Sequence, residues 1–343
     1  MSSNLALYRK YRPQNFGEVI GQEPVIRALE GAIKGGTVAH AYLFSGSRGT
    51  GKTSIARIFA RALGTHNDDI YEMDAASNRG VDDIRALRDA VHTVPLHSKY
   101  KVYIIDEAHM LTKEAFNALL KTLEEPPAHV IFILATTEEE KLPETIVSRC
   151  QSFRFMKPSH ATLQKLVETV AKKEGYKLEA SSSDLIALLG DGSFRDTLGT
   201  LQKVFASSSD KTITPEEVEQ TLGAPSARAV NDFLSAIVLR DFAKGAQALS
   251  KVSETWDMKI FLDLVVRKAR FVLLLRFASA MKDEVRANTS EEDFTLLEKF
   301  AKEAIKTLAS KELAILLSAY ADLRVAVVQT LPLELALMRI IGE

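Results

Sequence analysis

Hydrophobic and polar positions follow two different rhythms along the chain. Up to about residue 158, short unbroken apolar runs (41–44, 102–105 and 130–135) alternate with stretches in which apolar residues recur every three or four positions. Residues 69–74 and 153–155 add two shorter runs of strand character. Helices are expected at about 24–34, 53–63, 81–94 and 113–124. Pro24 suits a first helical turn, and the last of these helices must stop before Pro126-Pro127, because a residue preceding proline resists the helical conformation. Strands that alternate with helices predict an α/β core with a five-stranded parallel sheet. Beyond residue 158 the pattern predicts helices only, at 161–173, 183–189, 194–205 and 214–221, the last opened by the capping box Thr214-Pro215-Glu216-Glu217. Residues 226–343 read as five or six further amphipathic helices, broken around Asn288-Thr289-Ser290 and Pro332, with no catalytic constellation. Three domains follow: 1–158, 159–223 and 224–343.

Composition adds bounds. With 343 residues, 46% of them hydrophobic, the chain can bury a sizeable core in two or three domains. Its 44 basic and 45 acidic residues leave a net charge of −1, so any contact with a polyanion must be local. The first 64 residues form such a patch, with nine Arg or Lys against three Glu. A single cysteine, Cys150, rules out an internal disulfide and a cysteine-only zinc site, and points to a reducing compartment, the cytoplasm. The most hydrophobic stretch, 271–277, is short and interrupted by Arg276, which implies no membrane role.

The chemistry concentrates where the first apolar run ends. Gly46-Ser47-Arg48-Gly49-Thr50-Gly51-Lys52-Thr53-Ser54 follows a strand and opens a helix, the context a phosphate-binding loop requires. Its glycines let backbone N–H groups converge on a β-phosphate at the positive end of the helix, Lys52 reaches the β/γ oxygens, and the Thr53 hydroxyl can ligate Mg²⁺. The run 101–105 ends in Asp106-Glu107, which fits a Walker B element: Asp106 to hold Mg²⁺ through water, Glu107 to polarise the attacking water. The expected grip therefore lies where two neighbouring strands finish, one supplying amides and an ammonium, the other two acids. Thr137, at the end of the 130–135 run, is either a plain strand-end hydroxyl or a contact to the γ-phosphate. The turn Ala75-Ala76-Ser77-Asn78-Arg79-Gly80 is either a helix cap or a phosphate site beside Arg79 and Arg85.

Taken as an ordered set, the motifs resemble a known family. Tyr8-Arg9-Lys10-Tyr11-Arg12-Pro13 with Phe16, the Gly46 to Thr53 loop, Met73-Asp74-Ala75-Ala76-Ser77, Asp106-Glu107-Ala108-His109, the segment from Asn117 to Pro127, Ala135-Thr136-Thr137 and Ser148-Arg149-Cys150 resemble the gamma/tau (DnaX) subunits of the bacterial DNA polymerase III clamp loader. The likeness is nearly unbroken from about 5 to 200 and weaker after that. It implies an AAA+ ATPase core followed by an all-α lid and an all-α collar through which subunits associate. It also implies an ATP- and Mg²⁺-dependent motor that assembles with delta, delta-prime and further copies of itself, opens the sliding clamp and releases it onto primer–template DNA. Carried over by position, Lys52, Thr53, Asp106 and Glu107 are the cis hydrolysis machinery and Thr137 is sensor 1. Arg195 is sensor 2, and Arg149 is an arginine finger acting in trans. The resemblance adds Arg9, Arg12, Pro13 and Val19 as nucleotide contacts, and Arg79, Arg85, Lys121 and Thr145 as contacts to DNA phosphates. Without the resemblance, Arg149 reads as one half of an in-chain salt bridge, and the DNA candidates read as solvated surface.

Two departures from the family pattern stand out. Members typically carry a four-cysteine zinc module after the loop helix, whereas Ala62-Leu63-Gly64-Thr65-His66-Asn67-Asp68-Asp69 passes straight through, so zinc is not expected. The long tail that joins tau to helicase and polymerase is also absent, which suggests a short, gamma-like form or a truncated chain. Asp106-Glu107-Ala108-His109 further invites a DEAH-type helicase, which would need a second RecA-like domain not visible in 160–343. A non-hydrolysing stator should have a degraded phosphate loop, and an archaeal-type replication factor C small subunit should have Asn at the position of Thr137.

Overall fold

The unbroken apolar runs become strands buried on both faces. In the computed structural model, which describes residues 5–78, 80–253, 257–287, 289, 291–304 and 307–342, β1 (Ala41–Ser45), β2 (Ile70–Asp74), β3 (Lys101–Asp106), β4 (Val130–Thr136) and β5 (Gln151–Arg154) form one parallel sheet in the order β2-β3-β4-β1-β5. Alternation sorts the side chains. Tyr42, Phe44, Ile104 and Ile133 face one way, into a core shared with Leu29, Ile55 and Phe59. Leu43, Tyr103, Ile105, Phe132 and Leu134 face the other, into a core shared with Ile84, Phe116, Leu119 and Ile146. A sheet covered on both faces reads as continuous hydrophobic sequence rather than as alternation.

Helices of this first unit are α1 (Leu7–Lys10), α2 (Glu23–Gly35), α3 (Lys52–Ala62), α4 (Val81–Val91), α5 (Lys113–Glu124) and α6 (Glu144–Val147). Their ends follow local chemistry. In α2, Pro24 lies in the first turn and Gly36 closes the helix in the left-handed conformation. Thr112 caps α5 by accepting from the Ala115 N–H.

The strand order corrects one expectation. The strand of the phosphate loop, β1, and that of the two acids, β3, are not neighbours: β4 lies between them and pairs with both. Local sequence carries no record of which strands pair, so the crossover is invisible to periodicity.

The chain divides into two compact units, 1–163 with 190–199, and 164–189 with 200–343. Residues 190–199, expected within a lid at 159–223, group with the first unit, where the Phe194 N–H donates to the Gly49 carbonyl at 3.0 Å. Four helices occupy the region expected as the lid, α7 (His160–Glu174), α8 (Ala180–Leu189), α9 (Phe194–Ser207) and α10 (Pro215–Leu222), and the Thr214 capping box forms as its spacing required. The expectation of helices only fails at one point: Lys177–Leu178 (β6) pairs in parallel with Thr212–Ile213 (β7), a pairing too short to leave a periodic signature. Within the second unit follow α11 (Ala227–Leu239), α12 (Phe242–Ser253), α13 (Met258–Phe277), α14 (Lys282–Ala287), α15 (Glu291–Glu303), α16 (Ser310–Leu323) and α17 (Leu331–Ile341). Seven helices among the described residues replace the five or six expected, because α14 is too short to register as a stripe. The break expected around Pro332 is present between α16 and α17, and Pro332 stands in the first turn of α17. Of the break expected at 288–290, Asn288 and Ser290 lie outside the described residues. Phe233, Phe261, Val265, Leu297, Leu316 and Leu337 join these helices in one core.

Candidate nucleotide-binding site

The loop between β1 and α3 is shaped by glycine. Gly46, Gly49 and Gly51 all have positive φ (142°, 74° and 103°), a region costly for other residues. A Cβ on Gly46 would overlap the Phe155 carbonyl, and one on Gly49 would overlap the Ser193 side chain. The loop thus turns back over the sheet with its amides at the N-terminus of α3, where unpaired N–H groups and the helix dipole favour an anion. Lys52 is buried, and its Nζ donates to the carbonyls of Gly46 (2.7 Å) and Ser47 (3.0 Å). Burial lowers its pKa, with Glu107 and then Asp106 pulling the other way. The Ser47 Oγ is buried without a hydrogen-bond partner, an unmet polar group within the loop.

The acids arrive from β3. Thr53 Oγ1 donates to Asp106 Oδ2 at 2.6 Å, so the two groups expected to hold Mg²⁺ face one another. Glu107 adopts the left-handed conformation (φ 48°), which is uncommon for a side chain without local hydrogen bonding; its N–H donates to Asp106 Oδ1 at 3.0 Å. That twist turns its carboxylate toward β4, where Thr137 Oγ1 donates to Glu107 Oε2 at 3.0 Å. Lys52, Thr53, Asp106, Glu107 and Thr137 therefore meet at the carboxyl ends of β1, β3 and β4, the crevice in which open α/β sheets bind ligands. Glycine cradle, buried ammonium and paired oxygen donors fit a Mg²⁺-triphosphate, whose hard cation prefers oxygen ligands.

From the other candidates, Arg195 comes to this site: it lies over the Tyr8 ring at 5.6 Å and opposes the charge of both Lys52 and Arg12. Arg12 is half-buried, and burial, with Arg57 next, lowers its pKa. Pro13 and Val19 are half-buried in the same arm, Val19 packing on the α2–α3 side of the sheet, whereas Arg9 is exposed. Arg48 and Ser54 complete the loop and first turn. Arg149 is not part of the cluster. Its guanidinium donates to Glu124 Oε1 (2.6 Å) and to the Thr145 carbonyl (2.8 Å), the in-chain pairing that the sequence left open. Arg85 on α4, Lys121 on α5 and Thr145 on α6 are exposed on helices that pack in series, α4 on α5 and α5 on α6. Arg79 lies outside the described residues.

Two supporting residues escaped the sequence. Gln22 is buried, donating to the Met156 carbonyl at 2.8 Å and to that of Thr50 in the loop at 3.4 Å. His109, with only 7% of its side chain exposed, bonds Thr136 Oγ1 (3.0 Å) and Glu138 (3.2 Å) and stands 3.6 Å from Glu107 Oε2. The Asp106 to His109 motif was the signal that could have flagged it.

Sheet order and loop together define a P-loop protein of AAA+ architecture. A solved structure of RuvB from Thermotoga maritima, a Holliday junction branch migration motor, shares the fold at 23% identity and a TM-score of 0.53, covering 66% of this chain and 79% of that one. A family model described as DNA polymerase III, delta subunit, matches residues 21–80 and 64–159. DNA polymerase III subunit gamma of Buchnera aphidicola is 32% identical over 360 residues, covering 98% of each chain. The tau subunit of Bacillus subtilis is 46% identical over 60% of this chain, and the gamma/tau subunit of Mycobacterium tuberculosis 42% identical over 72%. The chain belongs to the DNA polymerase III gamma/tau family. It matches only 40% and 47% of the length of the last two relatives. Among the described residues no helix is long and apolar enough to cross a membrane.

Proposed function

We propose that this chain is the ATP-driven motor subunit of a clamp loader, which helps open a sliding clamp and load it onto primed DNA. The observation that carries the reading is the convergence of Lys52, Thr53, Asp106, Glu107 and Thr137 at one crevice, in a chain of this family. Loop amides and Lys52 bind the β- and γ-phosphates. Thr53 and Asp106 would hold Mg²⁺, which neutralises charge on the phosphoryl oxygens when bound. Glu107, oriented by Thr137, accepts a proton from the water that attacks the γ-phosphate in line. Arg195, beside Lys52 and Arg12, senses the γ-phosphate from within the same chain.

Arg149 acts on a neighbouring subunit's ATP. Its pairing with Glu124 keeps it poised on the surface, one-third exposed, until a more strongly anionic partner competes for it. Hydrolysis would then depend on assembly with delta, delta-prime and further copies of this chain. Arg85, Lys121 and Thr145 follow the phosphates of one DNA strand, contacts that are sequence-independent and salt-sensitive.

The test is ATP turnover by the chain reconstituted with its partner subunits, with and without clamp and primed DNA. Stimulation that needs both supports the loader. Turnover indifferent to the clamp would overturn it, and duplex unwinding by the lone chain would favour a helicase.

A further inference from the structure

At the opposite end of the strands from the phosphate loop, two connections come together. His66 and Asp68 precede β2, and His97 lies ahead of β3. His66 Nδ1 stands 3.3 Å from Asp68 Oδ2, and His97 Nε2 stands 3.7 Å from the same oxygen, with the three donor atoms all within 4.8 Å of one another. We propose that His66, Asp68 and His97 form a binding site for a divalent transition-metal ion, Zn²⁺ foremost, completed by water.

Donor type and spacing both support this. Two imidazoles and a carboxylate suit Zn²⁺ and related ions, whereas Mg²⁺ and Ca²⁺ prefer all-oxygen sets. Ligands about 2.0–2.2 Å from a tetrahedral ion stand roughly 3.4 Å apart, close to the two histidine–carboxylate distances, and the third pair lies within 4.8 Å, so side-chain rotation alone can close the set. The frame behind the ligands is fixed independently of any ion. Asp69, fully buried, accepts from the backbone N–H groups of Leu96 (2.6 Å) and His97 (2.9 Å), and the His66 N–H donates to Ser98 Oγ at 2.6 Å. These backbone bonds hold the two connections at a set distance from one another. The existing bond from the Asp68 N–H to His66 Nδ1 is long, 3.4 Å, and cheap to give up. All three ligands are more than half exposed, so an ion can enter from solvent. The three donors come from two distant segments and share no spacing motif, and none is a cysteine. Lying away from the β1 and β3 carboxyl ends, the ion would clip the α3–β2 connection to the α4–β3 connection and take no part in ATP chemistry. The inference is independent of the proposed motor role.

The experiment uses the full tag-free chain, stripped with chelator, and titrated first with Co²⁺ as a spectroscopic probe and then with Zn²⁺ against a chromophoric chelator. One equivalent should bind, with visible bands of a four-coordinate Co²⁺ site displaced by Zn²⁺. His97→Gln should weaken binding at least tenfold, and the double variant His66→Gln, His97→Gln should abolish it. The near-isosteric Asp68→Asn, at an exposed position that does not threaten folding, should also weaken binding at least tenfold. Saturating Zn²⁺ should raise the first thermal transition by roughly 2–4 °C in the parent chain and not in the double variant. Absence of one-equivalent binding, or binding unchanged in Asp68→Asn and in the double variant, would overturn the site.

Discussion

Lys52 shows how a single side chain can be tested without disturbing the fold. Its ammonium is held by loop carbonyls rather than by the acids, so Lys52→Ala removes the proposed phosphate ligand while the Thr53–Asp106 bond remains. A hydrogen bond to a charged group is worth about 1.5–3 kcal/mol, so ATP affinity should fall about 10- to 100-fold in equilibrium titration with a fluorescent analogue. Thr137→Val removes the donor to Glu107 Oε2 and leaves the loop intact. It should preserve affinity while slowing single-turnover hydrolysis by about tenfold or more, the signature of an interaction used at the chemical step. Cys150 offers a test of the opposite kind, of a group the fold keeps protonated. Burial pushes its thiol up to about 11 from a usual 8.5, so at pH 8 the thiolate is on the order of one in a thousand. Iodoacetamide should label it more than tenfold more slowly in the native than in the unfolded chain. Because burial favours the neutral form, that contribution to stability is fully present below about 8.5 and is lost as pH rises through about 11.

Elements differ in how openly the sequence declares them. The strands of the sheet are legible because both faces of each are covered, which forces unbroken apolar runs, and α5 is legible because Pro126-Pro127 must follow its end. The loop glycines were legible as a motif but not as geometry, and the structure ranks them. Gly46 sits against a backbone carbonyl, whereas a Cβ on Gly51 would meet nothing within 4 Å, although both have positive φ. Gly46→Ala should therefore cost more than Gly51→Ala by about 1–3 kcal/mol in denaturant unfolding followed by a probe in the first unit. What stayed hidden acts across long separations. Gln22 holds Met156 and the loop from 134 and 28 residues away, and β6 pairs with β7 from a distant segment, so no local window contains both partners.

For the whole molecule the decisive measurements are made in the assembled complex. Arg149→Ala should leave ATP binding by the lone chain unchanged, since the residue lies outside the nucleotide cluster, and should slow turnover in the reconstituted complex by about 10³-fold or more. Normal turnover there would return Arg149 to an ordinary ion-pair role. Lys121→Ala should weaken DNA binding uniformly across sequences and reduce the slope of log affinity against log salt by about one.

The placement of β4 between β1 and β3 has one more consequence. Its last residue, Thr136, is buried and bonds His109, while the next, Thr137, reaches Glu107. Two consecutive hydroxyls at the end of the strand thus take different partners, so the pair works as a vernier on strand alignment. Deleting a single residue of the strand ahead of Thr136 would move Thr137 into the buried slot and bring Glu138 to the place Thr137 held, so the carboxylate would lose its guide although both threonines remained in the sequence.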